Sequence, residues 1–120
     1  MRRRVALVAI VAFGCLGLTA CGNSDGSGAT LPTKVIDITF SGSEITPNGT
    51  DIDVHVGQRI ELDVTADAPG EIHVHSSPKE QEFEYHRGTT RLHVTPIQAP
   101  GQVVVESHTL DKTLFTLVAR

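Results

Sequence analysis

From Lys34 onward the apolar residues recur at every second position, and a chain patterned this way closes a core with strands. Ile36, Ile38 and Phe40 share one face of the first run, Ile52, Val54 and Val56 one face of the second, and Ile60, Leu62 and Val64 one face of the third. The intervening positions are polar: Asp51, Asp53 and His55, then Arg59, Glu61, Asp63 and Thr65. Successive side chains of an extended strand point to opposite faces, so each run has one side for a core and one for water. No stretch of this region carries a sustained helical period. Turn chemistry separates the runs at Pro47-Asn48-Gly49, Val56-Gly57-Gln58, Asp67-Ala68-Pro69-Gly70, Arg87-Gly88 and Ala99-Pro100-Gly101. The spacing predicts strands near Val35–Phe40, Asp51–Val56, Arg59–Ala66, Glu71–Ser76, Gln81–Tyr85, Thr90–Thr95, Gln102–His108 and Thr113–Ala119. Seven to eight short strands at this interval predict an all-β, Greek-key sandwich of two sheets.

The residues before this region follow another logic. Arg2-Arg3-Arg4 precede an apolar run from Val5 to Ala20, shorter than the ~20 residues a membrane-spanning helix needs. A positive start, an apolar middle and small residues at the end make a signal peptide. The run closes with Leu18-Thr19-Ala20-Cys21-Gly22, which resembles the lipobox of bacterial lipoproteins. That resemblance implies cleavage before Cys21 and acylation of its thiol, and two acyl chains suffice for stable anchoring. Gly22 to Thr33 is rich in Gly and Ser, a flexible tether with a mean reach of about 20 Å. The expected organisation is a signal peptide over 1–20, the lipidated Cys21 and linker over 21–33, and a sandwich over 34–120. The expected location is the extracytoplasmic side of the cell membrane, with a lipid anchor in the outer leaflet of the plasma membrane.

Export changes the charge. The full chain has ten Lys and Arg against fourteen Asp and Glu; losing Arg2, Arg3 and Arg4 but no acidic residue leaves a net charge of −7. A phosphate backbone repels such a surface, so nucleic acid is not expected as a partner. Cys15 and Cys21 are the two cysteines. The domain from Lys34 therefore has no disulfide framework, thiolate nucleophile or thiolate metal ligand.

Further motifs narrow the fold. Ile45-Thr46-Pro47-Asn48-Gly49, then Val54-His55-Val56-Gly57-Gln58-Arg59-Ile60, a histidine-bearing fourth strand, and Pro100-Gly101-Gln102-Val103-Val104-Val105-Glu106 before one last strand together resemble the cupredoxins over nearly all of 34–120. The resemblance implies a copper site of two His, one Cys and a weak axial Met, with the first His in the fourth-strand region and the others around the final hairpin. His73 or His75 matches the first position. Glu106 or Ser107 stands where the Cys is expected, and Met1, the sole methionine, leaves with the signal. A blue copper centre is thereby put in doubt.

What remains is Glu71-Ile72-His73-Val74-His75, whose period places Glu71, His73 and His75 on one face. Two imidazoles in this register can converge on Zn²⁺ or Cu²⁺, with a carboxylate or water completing the shell. In a cupredoxin-like fold His108 lies at the same end, where it is a third candidate ligand beside Glu71. The same alternation also describes a solvent-facing strand. His55 and His93 read as solvated strand positions, and His86 falls by a turn.

Catalysis is not expected. Ser107 and His108 are neighbours on a strand and point to opposite faces, and Gly-x-Ser-x-Gly, phosphate-loop and dinucleotide motifs are missing from the sequence. Two readings stand. One is a metal-free module that contacts another envelope protein or wall polymer, and it needs no ligand; the other takes up or buffers a divalent metal, copper by preference, through His73, His75, His108 and Glu71. For the anchor, Cys21→Ser is expected to abolish incorporation of labelled palmitate in bacterial cells and to move the protein from the membrane to the soluble fraction. Unchanged labelling would show that the anchor is elsewhere.

Overall fold

The computed structural model describes residues 30–120. The signal peptide, Cys21 and the linker as far as residue 29 lie outside the described residues. Nine strands follow: β1 Lys34–Ser41, β2 Glu44–Thr46, β3 Thr50–Val54, β4 Ile60–Ala66, β5 Gly70–Val74, β6 Gln81–Tyr85, β7 Gly88–Val94, β8 Gly101–Ser107 and β9 Lys112–Ala119. The eight expected strands are all present, with ends displaced by a residue or two. The ninth, β2, was not expected. Its three residues are too few to show a period, and it exists because Ile45 pairs with Phe40 and is buried in the core.

The strands form two sheets, β2-β1-β4-β7 and β3-β9-β8-β5-β6. Both are mixed: β1 runs parallel to β4, and β3 runs parallel to β9. The alternation read from the sequence decides which side of each strand is covered. Ile36, Ile38, Phe40, Ile60, Leu62 and Val64 turn inward from one sheet, and Ile72, Val74, Val103, Val105 and Leu117 from the other. Each such side chain removed from water contributes about 1.5–3 kcal/mol before the entropy of ordering is counted.

At one end the sheets are held together by an aromatic pair. Phe40 on β1 stacks on Tyr85 on β6, ring centroids 4.6 Å apart at 16°. Burial pushes the Tyr85 phenol above its ordinary range, while a hydrogen bond with Ser107 pulls the other way. Gly70 opens β5 directly against this phenol. A Cβ there would collide with Tyr85 Oη and Cζ and lie 2.8 Å from Thr109 Oγ1.

Register brings the chemistry together. β5 lies between β6 and β8, with His73 opposite Glu82 on one side and Glu106 on the other. The β8–β9 ladder slips between Val105 and Glu106: Val105 pairs with Phe115, but Glu106 pairs with Thr113. Leu114 is thus an extra residue, and Leu114 and Phe115 are both buried. Such a bulge inverts the face of everything beyond it. Thr113 consequently turns outward beside Glu106 instead of into the core.

Gly70→Ala is expected to destabilise the fold by about 1–3 kcal/mol through overpacking against Tyr85, measured by urea unfolding. The double change with Tyr85→Phe should recover part of the loss, and no recovery would place the strain elsewhere.

Candidate metal centre

The inward residues of β5, Ile72 and Val74, are fully buried. Their alternates therefore face out from the sandwich: Glu71, His73 and, just past the strand, His75. The His75 N–H donates to Val104 O at 2.9 Å, which extends the ladder and keeps its ring on the same face as His73. The next segment returns to β6 by a loop that the Ser76 hydroxyl closes onto Lys79 O at 2.7 Å. Gln81 Nε2 donates to Ser76 Oγ at 3.0 Å. This closure brings Glu80 over the two rings. His108 enters from the β8–β9 turn, which contains Asp111 in the left-handed region at φ 52°. The Glu71 N–H donates to Thr109 Oγ1 at 3.0 Å and the Leu110 N–H to Ser107 Oγ at 3.3 Å. The first of these bonds docks the turn on β5, and the second closes the turn on the end of β8.

The three rings pack on one another. His73 and His75 lie 4.2 Å apart between centroids, tilted by 33°, and His73 and His108 4.6 Å apart at 89°. One nitrogen from each can be chosen so that all three lie within 4.8 Å of one another. Ligands on a tetrahedral ion with bonds of about 2.1 Å are about 3.4 Å apart, so small ring rotations suffice for a common ion. His73 and His108 share a hydrogen bond of 2.8 Å between Nδ1 and Nε2. Glu80 bridges His73 and His75, 3.0 Å from His73 Nε2 and 3.4 Å from His75 Nδ1. His75 Nε2 lies 2.9 Å from Glu106, and His108 Nδ1 3.2 Å from Glu71. The Thr113 hydroxyl donates to the other Glu106 oxygen at 3.4 Å. This covering explains why His73, on an outer face, is only 6% exposed.

Charge follows geometry. The hydrogen bond to Glu106 raises the His75 pKa above its ordinary value, against the opposing effect of desolvation and with help from Glu80. The same bond holds the Glu106 carboxyl below its usual range. Imidazole nitrogens with carboxylate oxygens suit Zn²⁺ and Cu²⁺.

The structure brings together Glu71, His73, His75 and His108, the residues that the sequence singled out. It adds Glu80 and Glu106. Glu106 had a signal in the sequence, its place at the position where the resemblance expects the Cys, and the structure sets it opposite His73; nothing but nearness in the chain pointed to Glu80. His55, His86 and His93 stand apart and exposed; His93 approaches Glu61 at 3.5 Å and His86 Nδ1 donates to Arg87 O at 2.9 Å.

A blue copper centre does not fit these residues. Neither Cys nor Met occurs among residues 30–120. Of the two occupants of the expected cysteine position, Glu106 faces outward among the imidazoles. Ser107, 1% exposed, faces inward and bonds the Tyr85 phenol.

The fold itself has relatives among solved structures. A mutant of amicyanin in its Cu(I) form superposes with a TM-score of 0.54 at 9% identity, covering 72% of this chain and 82% of that one. A purple cupredoxin from Nitrosopumilus maritimus gives 0.54 at 11% identity over 72% of this chain and 99% of its own. A blue copper oxidase from Nitrosomonas europaea gives 0.54 at 14% identity, over 82% of this chain and 47% of that chain. No protein family and no curated protein matches the sequence. The chain is a cupredoxin-like β-sandwich that lacks the blue-copper thiolate and carries a three-histidine cluster on the outside of one sheet.

The His75–Glu106 pair sets a pH dependence. A raised His75 pKa contributes stability that is fully present below about pH 6.5 and is lost as pH rises through its folded value; the depressed Glu106 contributes stability present above about pH 4.5 and lost as pH falls through its folded value. In the metal-free chain, His75 ring resonances are expected to titrate above the ordinary histidine range, and Glu106→Gln to bring them back down. An unshifted His75 in the wild type would contradict the pairing.

Proposed function

We propose that this protein is a lipid-anchored, extracytoplasmic module that binds a divalent transition metal, Cu²⁺ or Zn²⁺, at the His73, His75 and His108 cluster. The observation that carries the reading is the convergence of three imidazoles within 4.8 Å on a face lined by carboxylates. The order of affinities for nitrogen and oxygen ligands favours Cu²⁺ over Zn²⁺. An acidic chain raises the local concentration of cations and supports uptake at low metal levels. The anchor and the location follow from the lipobox at Cys21.

Metal binding is preferred to metal-free contact with another envelope component for two reasons. The rings are gathered and not splayed apart. Among the described residues the large exposed apolar side chains are Leu31 and Val35, which precede or open β1 in the opposite sheet and not beside the cluster. The role is read as binding and delivery or buffering without catalysis.

Calorimetric titration of the full chain, with Cys15→Ser and Cys21→Ser to remove competing thiols, is expected to show one Cu²⁺ bound per chain. The double variant His73→Ala, His75→Ala should weaken binding by about 100-fold or more, since each lost ligand lowers metal affinity steeply. Equal affinity in the double variant would remove the proposal.

A further inference from the structure

We propose that the ion sits between His73 Nε2, His75 Nδ1 and the Glu80 carboxylate, and that His108 orients His73 without binding the metal. This rests on the cluster being a metal site, and it follows from a count of protons. Five contacts join ring nitrogens to acceptors or to one another. They are His108 Nδ1 to Glu71 at 3.2 Å, His108 Nε2 to His73 Nδ1 at 2.8 Å, His73 Nε2 to Glu80 at 3.0 Å, His75 Nδ1 to Glu80 at 3.4 Å and His75 Nε2 to Glu106 at 2.9 Å. An ionised carboxylate only accepts, so each contact needs one hydrogen. Three neutral imidazoles carry one N–H apiece. With all three rings neutral, the state in which imidazoles bind a metal, two contacts are left with lone pair facing lone pair, whereas a protonated His75 serves both of its own.

A single divalent cation replaces both missing hydrogens if the two contacts meet at one place. Within the cluster they meet at Glu80, whose two oxygens face two different rings. With the ion there, the three ring protons have one consistent placement. His108 Nδ1–H faces the Glu71 carboxylate at 3.2 Å as a charge contact, His73 Nδ1–H donates to His108 Nε2, and His75 Nε2–H donates to Glu106. His73 Nε2 and His75 Nδ1 remain as lone pairs on either side of the Glu80 carboxylate. The separations of 3.0 and 3.4 Å from its oxygens are close to the ~3.4 Å between two ligands of one tetrahedral ion. The 2.8 Å between His73 and His108 is shorter still, a hydrogen-bond length well below the spacing of two ligands on one ion.

Glu71–His108–His73 and Thr113–Glu106–His75 then serve as orienting chains of the kind that fix the tautomer of a metal-bound imidazole. The Glu80 side chain is 60% exposed and the His73 side chain 8%. Glu80 therefore stands at the mouth, where an ion enters from solvent and where a water completes the shell.

The test uses Cu²⁺ alone on the full chain with both cysteines changed to serine, reading affinity by calorimetry and the number of bound imidazoles by pulsed electron paramagnetic resonance. Two imidazoles are expected in the wild type. His108→Ala should retain two and lose about 10-fold in affinity, as removal of an orienting partner does. Glu80→Gln, at an exposed position that leaves folding intact by circular dichroism, should lose about 100-fold. Three imidazoles in the wild type falling to two in His108→Ala, or wild-type affinity in Glu80→Gln, would overturn the assignment while leaving the metal site standing. Absence of any Cu²⁺ binding by the wild type would instead overturn the metal reading on which it rests.

Discussion

The three-histidine cluster depends on β5 being sealed on one face and open on the other. Ile72 and Val74 are fully buried between the sheets, and a slip of one residue would expose both and drive His73 and His75 into the core. The cost of that exchange, two aliphatic side chains wetted and two imidazoles dehydrated, pins the strand. Hydrophobic packing on the inner side thus decides which polar groups gather on the outer side.

The same logic extends to the neighbouring strands. Glu106 belongs to β8, whose Val103, Val105 and Ser107 point inward, so parity alone places its carboxylate among the rings. Thr113 reaches it because the ladder slips at Leu114. An unbulged β9 would have turned that hydroxyl into the core. One extra residue therefore converts a core position into a support for a candidate ligand's partner.

Placing imidazoles on the outer face separates chemistry from stability. The end of the sandwich where Tyr85, Ser107 and Phe40 meet is filled and hydrogen-bonded, and among the described residues no buried side-chain nitrogen or oxygen lacks a partner. The cupredoxin-like scaffold consequently does not need a metal to complete its core. The cluster outside it holds three imidazoles among three carboxylates, a set of nitrogen and oxygen donors that could hold a metal ion.

The alternation of apolar residues determined, without any structure, that the domain is built of strands, which side of each is buried, and that Glu71, His73 and His75 share a face. The order of turns and the closing hairpin were enough to suggest a cupredoxin-like sandwich, because short-range pattern encodes strand and turn directly. It could not show β2, whose three residues carry no period, nor the bulge at Leu114, which is a property of two strands together. The resemblance placed His108 at the same end as His73, but its contact with that ring, and the approach of Glu80, were decided by tertiary structure. Those residues lie 35 and 7 positions from His73; the Glu71 N–H bonded to Thr109 docks the turn that carries one, and bonds within the 76–81 loop, together with the Thr95 N–H donating to Gln81 Oε1, hold the loop that carries the other.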